Sequence, residues 1–169
     1  GGQERAQRGG TTNTPAVVGM AKALEMAVAT MDENNAHIAA VRDHFVERVM
    51  AEIPFIRFNG DMEHRVPSVA NFSFEYVEGE GILMCMDLKG VAVSSGSACS
   101  SGSLDPSHVL LAMGVPVAVS HGSIRFSFGK DNTMEEADYA VDALKETISK
   151  LRVMSPLFNE KTGGGSYNV

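Results

Sequence analysis

"SVANFSFEYV", residues 68–77, alternates apolar and polar side chains, and Val69, Phe72, Phe74 and Tyr76 mark the strand it predicts. A period of two turns one side of a strand to a core and the other to a different environment. "FIRFNG" (55–60), "VAVSS" (91–95) and "GSIRFSFG" (122–129) read as further strands. The segments between them read as helices. "EGEGILMCMDLKG" (78–90) is a short one closed by Gly90. "DPSHVLLAMG" (105–114) is another, with Asp105 as its cap, Pro106 near its start and Gly114 at its end. "TMEEADYAVDALKETISKLRVM" (133–154) is the longest. Thr133 and Glu136 stand at capping-box spacing, and Val141, Leu144, Ile148 and Leu151 form its buried stripe.

Two helices precede the strands. "TPAVVGMAKALEMAVATM" (14–31) has Thr14 as the expected N-cap and Pro15 at the first helical position. Ile38, Val41, Phe45, Val49 and Ile53 line a second helix, roughly 36–52, which Pro54 ends. Asn34 and Asn35 mark the break between the two. Strands alternating with helices from about residue 55 predict an α/β layer, a small sheet with helices packed on one face. Residues 1–35 are expected to stand apart from a domain at 36–158, with 159–169 as a flexible tail.

The net charge of −7 disfavours a nucleic-acid surface and an anionic membrane. The apolar runs are too short to span a bilayer. The opening "GGQERAQRGG" lacks the apolar core of a secretory signal. Its Gly-Gly start suits a processed terminus or a fragment of a longer chain. Two cysteines cannot build a disulfide framework, so both are expected to be thiols in a reducing compartment, which points to the cytoplasm.

Those two cysteines differ. Cys85, inside "ILMCMDL", suits a buried apolar helix face. Cys99 lies in "VSSGSACSSGSLDPS" (93–107), among loop formers that cannot build a core. An accessible loop thiol is an oxidation liability unless it is used, so Cys99 is the candidate nucleophile. Arg125 interrupts the apolar strand "SIRFSFG". It either faces solvent or clamps a carboxylate with two parallel hydrogen bonds. "GGQERAQRGGTTN" (1–13) is a linker or, just before a helix, an anion site. His37, His44, His64, His108 and His121 show no metal-ligand spacing.

Taken together, "GGQERAQRGGTTN", "SSGSAC" followed by "SLDPSHVL", "SIRFSFG" and "LRVMSPL" resemble the C-terminal part of the cysteine desulfurases, class V, fold type I enzymes dependent on pyridoxal phosphate. The resemblance runs from residue 1 to about 158. It implies that residues 1–35 are a remnant of the large cofactor domain with a connecting helix, and that 36–158 are the small domain. It implies that Cys99 takes sulfur from L-cysteine as a persulfide, leaving alanine, and passes it to an iron–sulfur scaffold or another acceptor. As a persulfide, Cys99 would be a transient iron–sulfur ligand. Arg125 would hold the substrate carboxylate, and Thr11 the cofactor phosphate of the neighbouring subunit in a homodimer. The stretch near "SPLFN" would lie where scaffold proteins dock.

The family's Schiff-base lysine stands in a Ser-His-Lys stretch upstream of the first matched segment. Lys22, Lys89, Lys130, Lys145, Lys150 and Lys161 all stand in other contexts. The isolated chain is therefore expected to be inactive and to need a companion polypeptide. The alternatives are a non-catalytic sulfur-carrier or scaffold-docking module and a cofactor-free sulfurtransferase. Colour separates these, since a bound internal aldimine is yellow.

Overall fold

The computed structural model describes residues 7, 9–95 and 106–158. Two compact units divide the chain, Gly1–Asn34 and Asn35–Val169.

The first unit is dominated by helix α1, Thr14–Ala29. Its cap is Asn13, not Thr14, which already belongs to the helix. The Asn13 carboxamide oxygen accepts from the amide of Ala16 at 3.2 Å, satisfying a first-turn donor. None of the α1 side chains is buried. Helix α2, Met31–Glu52, follows directly, so the break falls at Thr30 and not at Asn34–Asn35. Asn34 instead donates its side chain to the Thr30 hydroxyl at 2.8 Å, bridging the junction.

The second unit is a mixed α/β layer. Strands β1 (Ile56–Phe58), β2 (Val69–Phe74), β3 (Ser94–Ser95) and β4 (Ser123–Ser127) form one sheet. Its order is β1-β2-β4-β3, and every neighbouring pair is antiparallel. Only two residues of "VAVSS" pair, because β3 is an edge strand of minimal length. Helices α3 (Gly79–Asp87) and α6 (Met134–Met154) join α2 on one face. Short helices α4 (His108–Ala112) and α5 (Val117–Ser120) lie between β3 and β4, and α5 packs near β2. α4 is capped at Ser107, whereas Asp105 lies outside the described residues.

Strand parity decides which side chains reach the helices. Ala70, Phe72 and Phe74 of β2, with Ile124 and Phe126 of β4, meet Val41, Phe45 and Val49 of α2 and Val141, Leu144 and Ile148 of α6. Val69 and Tyr76 do not join them. Val69 has the opposite parity to Phe72, and Tyr76 leaves the strand with φ +69°. α6 begins with the full capping box between Thr133 and Glu136.

Arg152, at the end of α6, is buried without a carboxylate among the described residues. It donates to the carbonyls of Glu75 at 3.2 Å and Phe55 at 2.9 Å and lies over the Phe55 and Phe158 rings. Burial lowers its affinity for the proton, and carbonyl dipoles and ring faces stand in for a counter-charge.

Candidate functional site: the polar face of the sheet

The face turned away from the main core is polar. In β4, Ile124 and Phe126 point to the helices, so Ser123, Arg125 and Ser127 point the other way. Asn71 of β2 and Ser94 of β3 stand opposite Arg125 on its two sides. A row Asn71–Arg125–Ser94 thus crosses three strands on one face. Ser73, opposite Ser123, and Arg57, opposite Ser73, continue that face to β1.

Arg125 is exposed, and among the described residues it has no carboxylate or hydrogen-bond partner. An arginine on a sheet commonly gains from an opposite charge directly across the ladder. Here both positions across from it are neutral. The other described arginines are engaged. Arg48 meets Glu52, Asp138 and Asp142, each at 2.8 Å, which raises its own proton affinity. Arg42 and Arg65 share the Asp43 carboxylate. Arg57 reaches the Gly114 carbonyl at 3.4 Å. Among the described residues, then, no group occupies the donor fork of Arg125.

Beneath this row lies a buried amide. Asn59 follows β1 and is 8% exposed. Its backbone amide donates to the Asn71 carbonyl at 2.9 Å. Its side-chain Nδ2 donates to Asn71 Oδ1 at 2.7 Å and to the Ser73 hydroxyl at 2.8 Å. Asn59, Asn71 and Ser94 escaped the sequence reading. The available signal was parity: pairing "VANFSF" against "SIRFS" with the apolar residues in register sets Asn71 beside Arg125.

Cys99 lies outside the described residues, in the segment that leaves β3 directly after Ser95. Cys85 is half-buried on α3. Thr11 is exposed in the first unit, two residues ahead of the α1 cap. A cleft of about 550 Å³ opens between α2, α6 and the end of β4, lined by Phe45, Val91, Phe128 and Tyr139, and does not include Arg125. No helix among the described residues is long and apolar enough to cross a membrane.

Both the sequence and the fold have counterparts among known proteins. Residues 2–140 match the family model described as aminotransferase class-V, and the chain belongs to that family. Within it, the chain is similar to the cysteine desulfurases. It is 48% identical over 160 residues to the cysteine desulfurase IscS of Dictyoglomus turgidum, covering 95% of this chain and 41% of that protein. To the cysteine desulfurase of Gluconacetobacter diazotrophicus it is 46% identical over 159 residues, covering 94% and 40%. A solved NifS-like protein superimposes with a TM-score of 0.74 at 33% identity, over 89% of this chain and 37% of that one. A NifS-like protein from Rickettsia africae gives 0.74 at 27% identity, over 88% and 38%. The chain thus spans about two-fifths of the length of the curated relatives it matches.

A pyridoxal phosphate site needs donors for the phosphate and a lysine for the aldehyde. The described lysines do not suit the aldehyde, because each is a surface ion pair: Lys22 with Glu25, Lys89 and Lys150 with Glu146, Lys130 with Asp131, and Lys145 with Glu52. A lysine that condenses with an aldehyde is held desolvated in a pocket. No lysine with that character occurs among the described residues.

Proposed function

We propose that this chain supplies the thiol and the substrate clamp of a cysteine desulfurase acting on L-cysteine. The observation that carries the reading is the position of Arg125. It is a guanidinium on the polar face, without a counter-charge among the described residues, in register with Ser94 of the strand that precedes the Cys99 segment.

Arg125 binds the substrate carboxylate through two parallel N–H···O bonds, which fixes the amino acid in orientation as well as in place. Cys99 attacks the substrate sulfur as a thiolate. A bond forms between the two sulfurs, the substrate carbon–sulfur bond breaks, and the carbon product becomes alanine. Pyridoxal phosphate, when bound, supplies the electron sink for that cleavage. Thr11 holds its phosphate across a homodimer, and the lysine comes from a polypeptide segment other than the residues described here. Cys99 is four steps along the chain from Ser95, so even a fully extended chain keeps its Cα within about 14 Å of the strand end. The persulfide on Cys99 is then passed to an acceptor, an iron–sulfur scaffold among them.

The test uses the complete protein with L-cysteine. Stoichiometric alanine and a gain of one sulfur atom on the Cys99 peptide by mass spectrometry are expected. Alanine without sulfur on that peptide would overturn the role of Cys99. A colourless complete protein that only accepts sulfur would leave the carrier reading in its place.

A further inference from the structure

We infer that Asn71 is a second substrate-binding residue, donating its amide N–H to the carboxylate that Arg125 clamps, and that Asn59 is the positioning residue that aims it. This rests on the reading of Arg125 given above.

Asparagine is disfavoured inside a strand. Asn71 nevertheless occupies the position directly across from Arg125, on the same face. Its amide is not free to turn. The buried Asn59 Nδ2 holds Asn71 Oδ1 at 2.7 Å, and its other proton goes to the Ser73 hydroxyl at 2.8 Å. With its oxygen occupied, Asn71 presents its NH2 group. Among the described residues that group has no acceptor. Asn59 is fixed in turn by its own backbone bond to Asn71 and by burial.

The outcome is three donors side by side: the two-pronged edge of Arg125 and one amide N–H of Asn71. A carboxylate has about four lone-pair sites, so a bidentate arginine leaves acceptor capacity for one more donor. An aspartate at this position would neutralise Arg125 and compete with the substrate. A serine would lack the reach and the Asn59 anchor. An asparagine pinned through its oxygen adds a donor without adding charge.

The substitution Asn71→Ala removes the donor without adding charge beside Arg125. Binding of L-cysteine to the complete protein carrying Cys99→Ser is measured by calorimetry, with cysteamine, which lacks the carboxylate, as the control. Asn71→Ala is expected to weaken L-cysteine by about 10- to 100-fold, the loss of a hydrogen bond to a charged group, and to leave cysteamine unchanged. Unchanged L-cysteine affinity, or an equal loss for cysteamine, overturns the inference. If Asn71→Ala lowers the melting temperature sharply, Asn71→Ser is read instead, and unchanged affinity there overturns it equally. Arg125→Ala is run beside them. A loss in Arg125→Ala without one in Asn71→Ala removes this inference alone, whereas no loss in Arg125→Ala removes the clamp on which it rests.

Discussion

Ser94 stands directly opposite Arg125 in the β3–β4 ladder, on the polar face of the sheet. The segment that carries Cys99 follows Ser95 directly in the chain, so Arg125 and the thiol are tethered to the same strand pair. Cys99→Ser in the complete protein is therefore expected to abolish sulfide release and leave L-cysteine binding intact. Cys85→Ser, on the half-buried face of α3, is expected to cost about 1 kcal/mol of stability or less and no activity. Sulfide assays on the two variants check this. A dispensable Cys99 beside an essential Cys85 would reverse the assignment.

Arg125→Ala is expected to raise KM for L-cysteine far more than it lowers folding stability. Losing a charged bidentate partner costs about 2–5 kcal/mol, or about 30-fold to several thousand-fold in affinity. The exposed side chain holds no partner among the described residues, so the stability change is expected to stay within about 0.5 kcal/mol. Arg125→Lys restores the charge but not the fork and recovers only part of the affinity. Steady-state kinetics and urea melts on the same samples separate the two quantities. A large stability loss with an unchanged KM would make Arg125 structural.

How far the sequence discloses this arrangement differs by element. The long amphipathic α6 declares itself, because its stripe and capping box are local and redundant. The strands β1, β2 and β4 are legible from alternation, and Arg125 stands out as the one charge in an apolar strand. Pairing is not legible in the same way. That β2 lies between β1 and β4, bringing Asn71 to Arg125, is a nonlocal fact that no single segment encodes. Asn59 reads only as part of the strand stretch "FIRFNG" and becomes a network member only once β1 meets β2. The α1–α2 junction is misplaced because asparagines resemble breaks, whereas Asn34 here turns its side chain back to Thr30 and stays helical.

The charge ladder between α2 and α6 makes stability sensitive to acid. Hydrogen bonds from His44 and Arg48 hold the Asp138 carboxyl below its ordinary range, and Arg48 with Lys145 does the same to Glu52. Lys150 and Lys89 lower Glu146 to about 2. Each carboxylate has a lower pKa folded than unfolded, so the contribution is complete above the unfolded value of about 4 and is lost as pH falls through the folded one. For Glu146 that window runs from about pH 4 down to about 2. The melting temperature is expected to fall as pH drops below about 4, and to fall less steeply in Arg48→Met, which removes the partner of Asp138 and Glu52 but leaves Glu146 with Lys89 and Lys150. Parallel slopes in the two proteins would show that the ladder does not carry the effect. High salt should weaken the dependence, since these side chains are partly exposed.

Gly122 sets the entry of β4 and so the height of Arg125 above the face. A Cβ at Gly122 would overlap the Phe74 carbonyl oxygen and lie 2.8 Å from the Val77 carbonyl oxygen. These are backbone atoms, and Phe74 is itself tied down because its amide donates to the Gly122 carbonyl at 2.9 Å. Neither partner can rotate away as a flexible side chain would, so Gly122→Ala must push β4 from β2 at the end nearest Ser123. The expected cost is at or beyond the usual overpacking range of about 1–3 kcal/mol. Arg125 is three residues along, and its register with Asn71 depends on the strand that moves, so KM for L-cysteine should rise in whatever fraction folds. Gly90→Ala is the control. Gly90 has φ +75° with nothing within 4 Å of the added atom, so it meets only the left-handed backbone penalty of about 1–2 kcal/mol and leaves KM alone. Urea denaturation of both variants, with kinetics on the folded material, decides it. Equal stability losses and an unchanged KM in Gly122→Ala would mean that the close approach of β4 to β2 does not set the position of the clamp.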